Sequence, residues 1–171
     1  MFILVIGGSK SGKSGYAENL VMAYPERKIY LATMEPSGEE AHKAIERHRQ
    51  MRQGKGFLTI EKYTSVGELV ENEDIHGAVL LLECMGNLCA NEMFTDGFQE
   101  DVTDKIVQDI ETLSQKTKAF IVVSNIVGED GVDYAKETKT YIKNMGMLNA
   151  RIAMLADHVV EMVYGIPVVI K

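Results

Sequence analysis

MFILVIGGSKSGKSGYAENL, residues 1–20, joins an apolar run to a glycine-rich turn and then to a helix-forming segment. Phe2 to Ile6 are consecutively apolar, and Gly7-Gly8-Ser9-Lys10-Ser11-Gly12-Lys13-Ser14 fits the phosphate-loop pattern G-x-x-x-x-G-K-[ST] at every fixed position. Glycines in such a turn let backbone N–H groups approach a phosphate. The N-terminus of the following helix directs partial positive charge to the same point. Lys13 is placed to reach the outer phosphates of a nucleoside triphosphate, and the Ser14 hydroxyl to ligate Mg²⁺. A glycine turn that matches by chance is the alternative. The strand-like run ahead of it and Tyr16-Ala17-Glu18-Asn19-Leu20 behind it supply the context that argues against chance.

Working outward, 171 residues with 46% hydrophobic and 25% charged side chains suit one soluble domain, residues 1–171, with no need of disulfides or structural metal. A net charge of −7 argues against nucleic acid as a partner, which would require a broad basic surface. Apolar runs such as Ala78 to Leu82 are too short to span a bilayer, and no basic-then-apolar leader precedes the loop, so a cytoplasmic location is expected. Cys84 and Cys89 read as reduced, structural thiols. Histidines 42, 48, 76 and 158 form no zinc-type grouping with them.

Along the chain, the first helix is expected to run to about Ala23, followed by a strand over Lys28 to Thr33. A helix from Ser37-Gly38 to Arg52 has an acidic start and a basic end, the order the helix dipole favours, and Gly54-Lys55-Gly56 ends it. Phe57 to Tyr63 alternates like a short strand, and Ser65 to Glu71 suggests a short helix. Ala78 to Leu82 is fully apolar and delivers Glu83 at its carboxyl end, the mark of a buried parallel strand. Helical patterns follow over Leu88 to Phe94 and Asp101 to Lys118, then a buried strand over Ala119 to Asn125 and a loop over Gly128 to Tyr134. A long helix over Ala135 to Ala156 precedes closing strands over His158 to Val163 and Pro167 to Ile170. Strands alternating with helices imply an α/β, single-domain P-loop NTPase-like fold with a mostly parallel central sheet and helices on both faces.

Glu83 sits where phosphate-loop proteins place an acid that holds Mg²⁺; its bland alternative is a strand-end carboxylate facing solvent. Ser124 and Asn125 end the analogous strand and either contact a nucleotide or cap the next turn. His48 shares a helix face with Ala44, Ile45, Met51 and Arg52, at the border of an apolar stripe. On its own it reads as a packed histidine or as a nucleophile. In the second case Arg47, Arg49, Arg52 and Lys55 gather phosphates and keep the imidazole neutral. Without that role these cations are a solvated basic face. His42 lies largely on another face of the helix.

Beyond the loop, an ordered set of motifs resembles the adenosylcobinamide kinase/adenosylcobinamide-phosphate guanylyltransferase family nearly end to end. It comprises Ile45-Glu46-Arg47-His48-Arg49 with Arg52, Phe57-x-Thr59-x-Glu61, Leu81-Leu82-Glu83-Cys84, Val123-Ser124-Asn125 with Val127-Gly128, Asn149, Ala156-Asp157, Gly165-Ile166-Pro167 and Lys171. The resemblance implies a RecA-like fold and two reactions. The first phosphorylates the aminopropanol hydroxyl of adenosylcobinamide with GTP or ATP, and the second transfers GMP from GTP to that phosphate. It further implies that His48 is the nucleophile, forming a GMP–histidine phosphoramidate, and that Lys13 and Glu83 are catalytic. The implied nucleotide-binding set is Gly7, Gly8, Ser9, Lys10, Ser11, Gly12, Lys13 and Ser14 with Arg49, Arg52, Glu61 and Glu83, and the implied Mg²⁺ ligands are Ser14 and Glu83. A homo-oligomer, a trimer by resemblance, is also implied. The chain departs from the family pattern at Ile126, where an acid is expected, at Gly131-Val132-Asp133-Tyr134, at Lys136, Lys139 and Lys143, and at Asn149-Ala150. Those departures keep two other functions open: a kinase of another small metabolite with a structural His48, and a GTP-binding regulatory module.

Overall fold

Three apolar runs, Phe2–Ile6, Val79–Leu82 and Ala119–Val123, are too short for buried helices and too uniformly apolar for a one-sided sheet. Each becomes a strand covered on both faces. The computed structural model describes residues 1–171. Its strands are β1 (Phe2–Gly7), β2 (Lys28–Ala32), β3 (Phe57–Glu61), β4 (Val79–Glu83), β5 (Ala119–Val123), β6 (His158–Val163) and β7 (Ile166–Val169). Its α-helices are α1 (Lys13–Met22), α2 (Gly38–Arg52), α3 (Met85–Phe94), α4 (Thr103–Lys116) and α5 (Lys136–Leu155). The turns at Val66–Glu71 and Glu73–Ile75 are 3₁₀.

The sheet order is β3-β2-β4-β5-β1-β6-β7, with every pair parallel except β6 and β7. Register aligns the carboxyl ends: Glu61 pairs with Ala32, Ala32 with Glu83, Glu83 with Val123, and Val123 with Val5 of β1. One row therefore brings four strand ends to the phosphate loop, which is where open α/β sheets hold ligands.

Alternation along the strands divides the core. Leu4, Leu31, Leu80, Leu82, Phe120 and Val122 face α3, α4 and α5. Ile3, Val5, Tyr30, Val79, Leu81, Ile121 and Val123 face Ala17 and Val21 of α1. On α4, Ile106, Ile110 and Leu113 are fully buried, the stripe expected from their spacing.

The structure differs from the sequence reading mainly at element ends. Helix α3 starts at Met85 rather than Leu88, directly after the β4 strand end. Helix α4 starts at Thr103, because the Asp101 carboxylate accepts from the Thr103 N–H at 2.9 Å and from its hydroxyl at 2.7 Å ahead of the first turn. The segment at 65–71 is 3₁₀ rather than α.

Candidate active site

At the end of β1 only glycine fits. A Cβ on Gly7 would lie 2.7 Å from the Met162 carbonyl oxygen and 2.9 Å from Ser11 Oγ. Gly12, at φ 94°, opens α1 from left-handed backbone. The loop so formed turns Lys13 back, and its Nζ donates to the Gly8 carbonyl oxygen at 2.6 Å. Lys13 is only 7% exposed, and this burial pushes its ammonium below the usual lysine range, opposed in part by the Glu83 carboxylate.

Glu83 does not face solvent. It is buried, accepts a hydrogen bond from Ser14 Oγ through Oε1, and leaves Oε2 without a partner. His48 comes to the same carboxylate from α2: its Nδ1 lies 3.7 Å from Glu83 Oε1, and the ring is 17% exposed. That nitrogen is likewise buried without a hydrogen-bond partner. One carboxylate thus stands between the phosphate loop and the helix histidine.

These groups line a cavity of about 540 Å³ that holds Ser9 to Ser14, His48, Arg47, Arg49, Arg52, Glu61 and Glu83. Gly7 and Gly8 do not line the cavity wall; Gly8 contributes through the carbonyl that orients Lys13. Arg52 Cζ stands over the Tyr30 ring, 3.3 Å from its centroid, and the Arg52 Nη1 is buried without a partner. Burial raises the Tyr30 phenol above its usual range, the Glu83 charge adding to the shift. Arg49 pairs with Glu61 at 3.3 Å near the surface, and Tyr63 donates to the other Glu61 oxygen at 3.0 Å. His42 is exposed, away from the cavity.

Lys55 is not part of the phosphate-facing cluster. Its ammonium turns to Glu18 of α1 at 2.6 Å. The two residues ending β5 part company: Asn125 lines the cavity, whereas Ser124 is fully buried and its hydroxyl donates to Asn149 Oδ1. Asn149 also donates to the Asn125 carbonyl oxygen at 3.0 Å, which accounts for an asparagine there. Residues 126–143 supply nothing to the cavity wall. Lys136 pairs with Glu100 and Lys139 with Asp133 instead.

Tyr30, Ala32, Met34 and Asn87 line the cavity without a functional reading from the sequence, and Thr59 and Cys84, which enter that reading only through the family motifs, line it as well. Ala32 and Cys84 carry a signal through their position at or next to a strand end, whereas Tyr30 and Thr59 lie within strands and Asn87 within α3. Thr33 and Asn91 were missed as well. Thr33 Oγ1 donates to the Cys84 carbonyl oxygen at 2.8 Å, and Asn91 Nδ2 reaches the Thr33 and Tyr63 carbonyl oxygens at 2.8 and 3.0 Å. Together they tie the ends of β2 and β3 to α3.

The donor set is suited to a hard divalent cation. Ser14 Oγ and the orphaned Glu83 Oε2 are oxygens at the phosphate position, and Mg²⁺ takes few protein ligands beside water and phosphate. No cluster of three or more histidine, cysteine or acidic residues offers an all-protein metal cage.

Comparison with known proteins identifies the family and the fold. A family model described as cobinamide kinase / cobinamide phosphate guanyltransferase matches residues 3–170. The bifunctional adenosylcobalamin biosynthesis protein CobU of Escherichia coli (strain K12) is 31% identical over 183 residues, spanning 100% of both chains. The protein of the same name from Salmonella typhimurium is 30% identical over the same span. Among solved structures, a prototypical ATPase from the type III secretion system of pathogenic bacteria superposes with a TM-score of 0.57 at 10% identity, covering 94% of this chain and 50% of that one. At that identity the likeness is one of fold, a P-loop ATPase arrangement around a mostly parallel sheet.

Proposed function

The chain belongs to the cobinamide kinase / cobinamide phosphate guanyltransferase family, and we propose that residues 1–171 carry out both reactions at the cavity over the phosphate loop. It is a nucleotide-dependent transferase of adenosylcobalamin biosynthesis, with a cobinamide as acceptor.

In the kinase step the acceptor hydroxyl oxygen attacks the γ-phosphorus and its proton is released to solvent, the bond to the β–γ bridging oxygen breaks, and the nucleoside diphosphate leaves. Backbone N–H groups of Ser9 to Ser14 hold the phosphates, and Lys13 offsets the charge that develops on them. Ser14 and Glu83 would hold Mg²⁺, which when bound neutralises charge on the phosphate oxygens.

In the guanylyl step the His48 imidazole attacks the α-phosphorus of GTP and pyrophosphate leaves. A phosphate oxygen of the phosphorylated cobinamide then attacks the same phosphorus, breaking the P–N bond and freeing His48. With Nδ1 turned to Glu83, Nε2 is the nitrogen left for attack. Arg49, Arg52 and Glu61 frame the nucleotide on the α2 and β3 side of the cavity.

The observation that carries this reading is the position of Glu83 between Ser14 of the loop and His48 of α2. Incubation with [α-³²P]GTP tests it: an acid-labile protein adduct forms with wild type and not with His48→Ala. Transfer of γ-phosphate to a small acceptor with no adduct would leave a kinase alone.

The same proposal includes self-assembly. Ile166, Val169 and Ile170 stand exposed on the outermost strand and its C-terminal end, an apolar edge that a second copy would cover. No helix is long and apolar enough to cross a membrane.

A further inference from the structure

Helix α2 carries the histidine, yet among its residues only Arg52 is buried. What holds it to the body is polar: His48 beside Glu83, Arg52 over Tyr30, and Arg49 with Glu61. Past its last turn the chain runs through Gly54 and Gly56, both in left-handed backbone at φ 77° and 72°, before entering β3 at Phe57. Lys55, between them, makes a further link to the body. Its N–H bonds the Arg52 carbonyl oxygen at 3.0 Å, and its ammonium reaches across to Glu18 of α1 at 2.6 Å.

Glu18 is fully buried, and its second oxygen has no partner. An apolar side chain would fill that position at lower desolvation cost, so the ion pair is a poor device for stability alone. What a buried pair does well is select one arrangement, since the carboxylate is satisfied only when the lysine turn is docked against α1. We propose that Lys55 and Glu18 are positioning residues for guanylyl transfer. On this account they dock the end of α2 on the phosphate-loop helix and so fix the height of His48 above the nucleotide. The inference rests on His48 as the nucleophile; γ-phosphoryl transfer, which uses the loop itself, does not depend on the dock.

The test compares rates of [α-³²P]GTP labelling and of γ-phosphate transfer in wild type, Lys55→Met and Lys55→Arg. Labelling is expected to fall at least about tenfold in Lys55→Met, since small displacements of a reacting group cost that much or more. Phosphoryl transfer should stay within about twofold, and Lys55→Arg should recover most of the labelling. If Lys55→Met does not fold, the double variant Glu18→Gln/Lys55→Met leaves no uncompensated carboxylate and should show the same split. Labelling at the wild-type rate, or a proportional fall in both activities, overturns the dock. A wild-type enzyme that takes no label overturns the nucleophile reading beneath it, and the dock with it.

Discussion

Helices α1 and α2 lie on the same side of the sheet and face the same cavity, but they are held in opposite ways. Ala17, Glu18 and Val21 of α1 are fully buried against the strands, and the loop ahead of it is fitted to Met162 so closely that Gly7 tolerates no side chain. Helix α2 is mostly exposed and anchored by a few polar contacts. Burial over many atoms gives α1 one position; a handful of charged contacts gives α2 a position that depends on each of them. The phosphate loop is thus part of the core, and His48 is carried on its rim.

The sharpest way to break this contrast is His48→Ala. Labelling by [α-³²P]GTP should vanish while γ-phosphoryl transfer persists, and retained labelling would move the nucleophile elsewhere. Next in size is Lys13→Ala, which should lower both activities by about 10²–10³-fold, the cost typical of removing one preorganised charge-stabilising group. If only one activity fell, the two reactions would not share the loop.

Stability should divide along the same line. Leu81→Ala, in the strand beneath α1, is expected to cost about 2–5 kcal/mol in denaturant unfolding, whereas the exposed Gln50→Ala on α2 should change it by less than about 0.5 kcal/mol. Equal costs would mean that α2 is as firmly packed as α1.

The smallest effect is a pH limb. Burial lowers the Lys13 pKa, so the free protein loses this charge at lower pH than an ordinary lysine, near ~10.4, would. Nucleotide affinity measured by calorimetry should therefore start to fall below that range, and identically in wild type and His48→Ala. For folding the sign is opposite. Below the folded pKa the buried ammonium costs stability, and this cost is relieved as pH rises from the folded toward the unfolded value.

Much of this was legible in the chain because the signals are local. The loop is one contiguous stretch, Gly7 to Ser14, and Val79 to Glu83 shows a buried strand with an acid at its end without reference to anything else. The departures at 131–143 were equally visible, but their consequence was not. Lys136 and Lys139 are occupied by Glu100 and Asp133, and the segment adds nothing to the cavity wall.

Sequence alone determined the phosphate loop, the alternation of strands and helices, and which residue types stand at the strand ends, since each follows from neighbours within a turn or a strand. Tertiary structure decided that Arg52 covers Tyr30, that Ser124 turns inward to Asn149, and that Lys55 leaves the cationic cluster for Glu18. Those pairings join residues 22 to 37 positions apart. They depend on strand order and on which sheet face a helix occupies, and period-two or period-3.6 patterns fix neither, because every apolar face seeks burial but none specifies its partner.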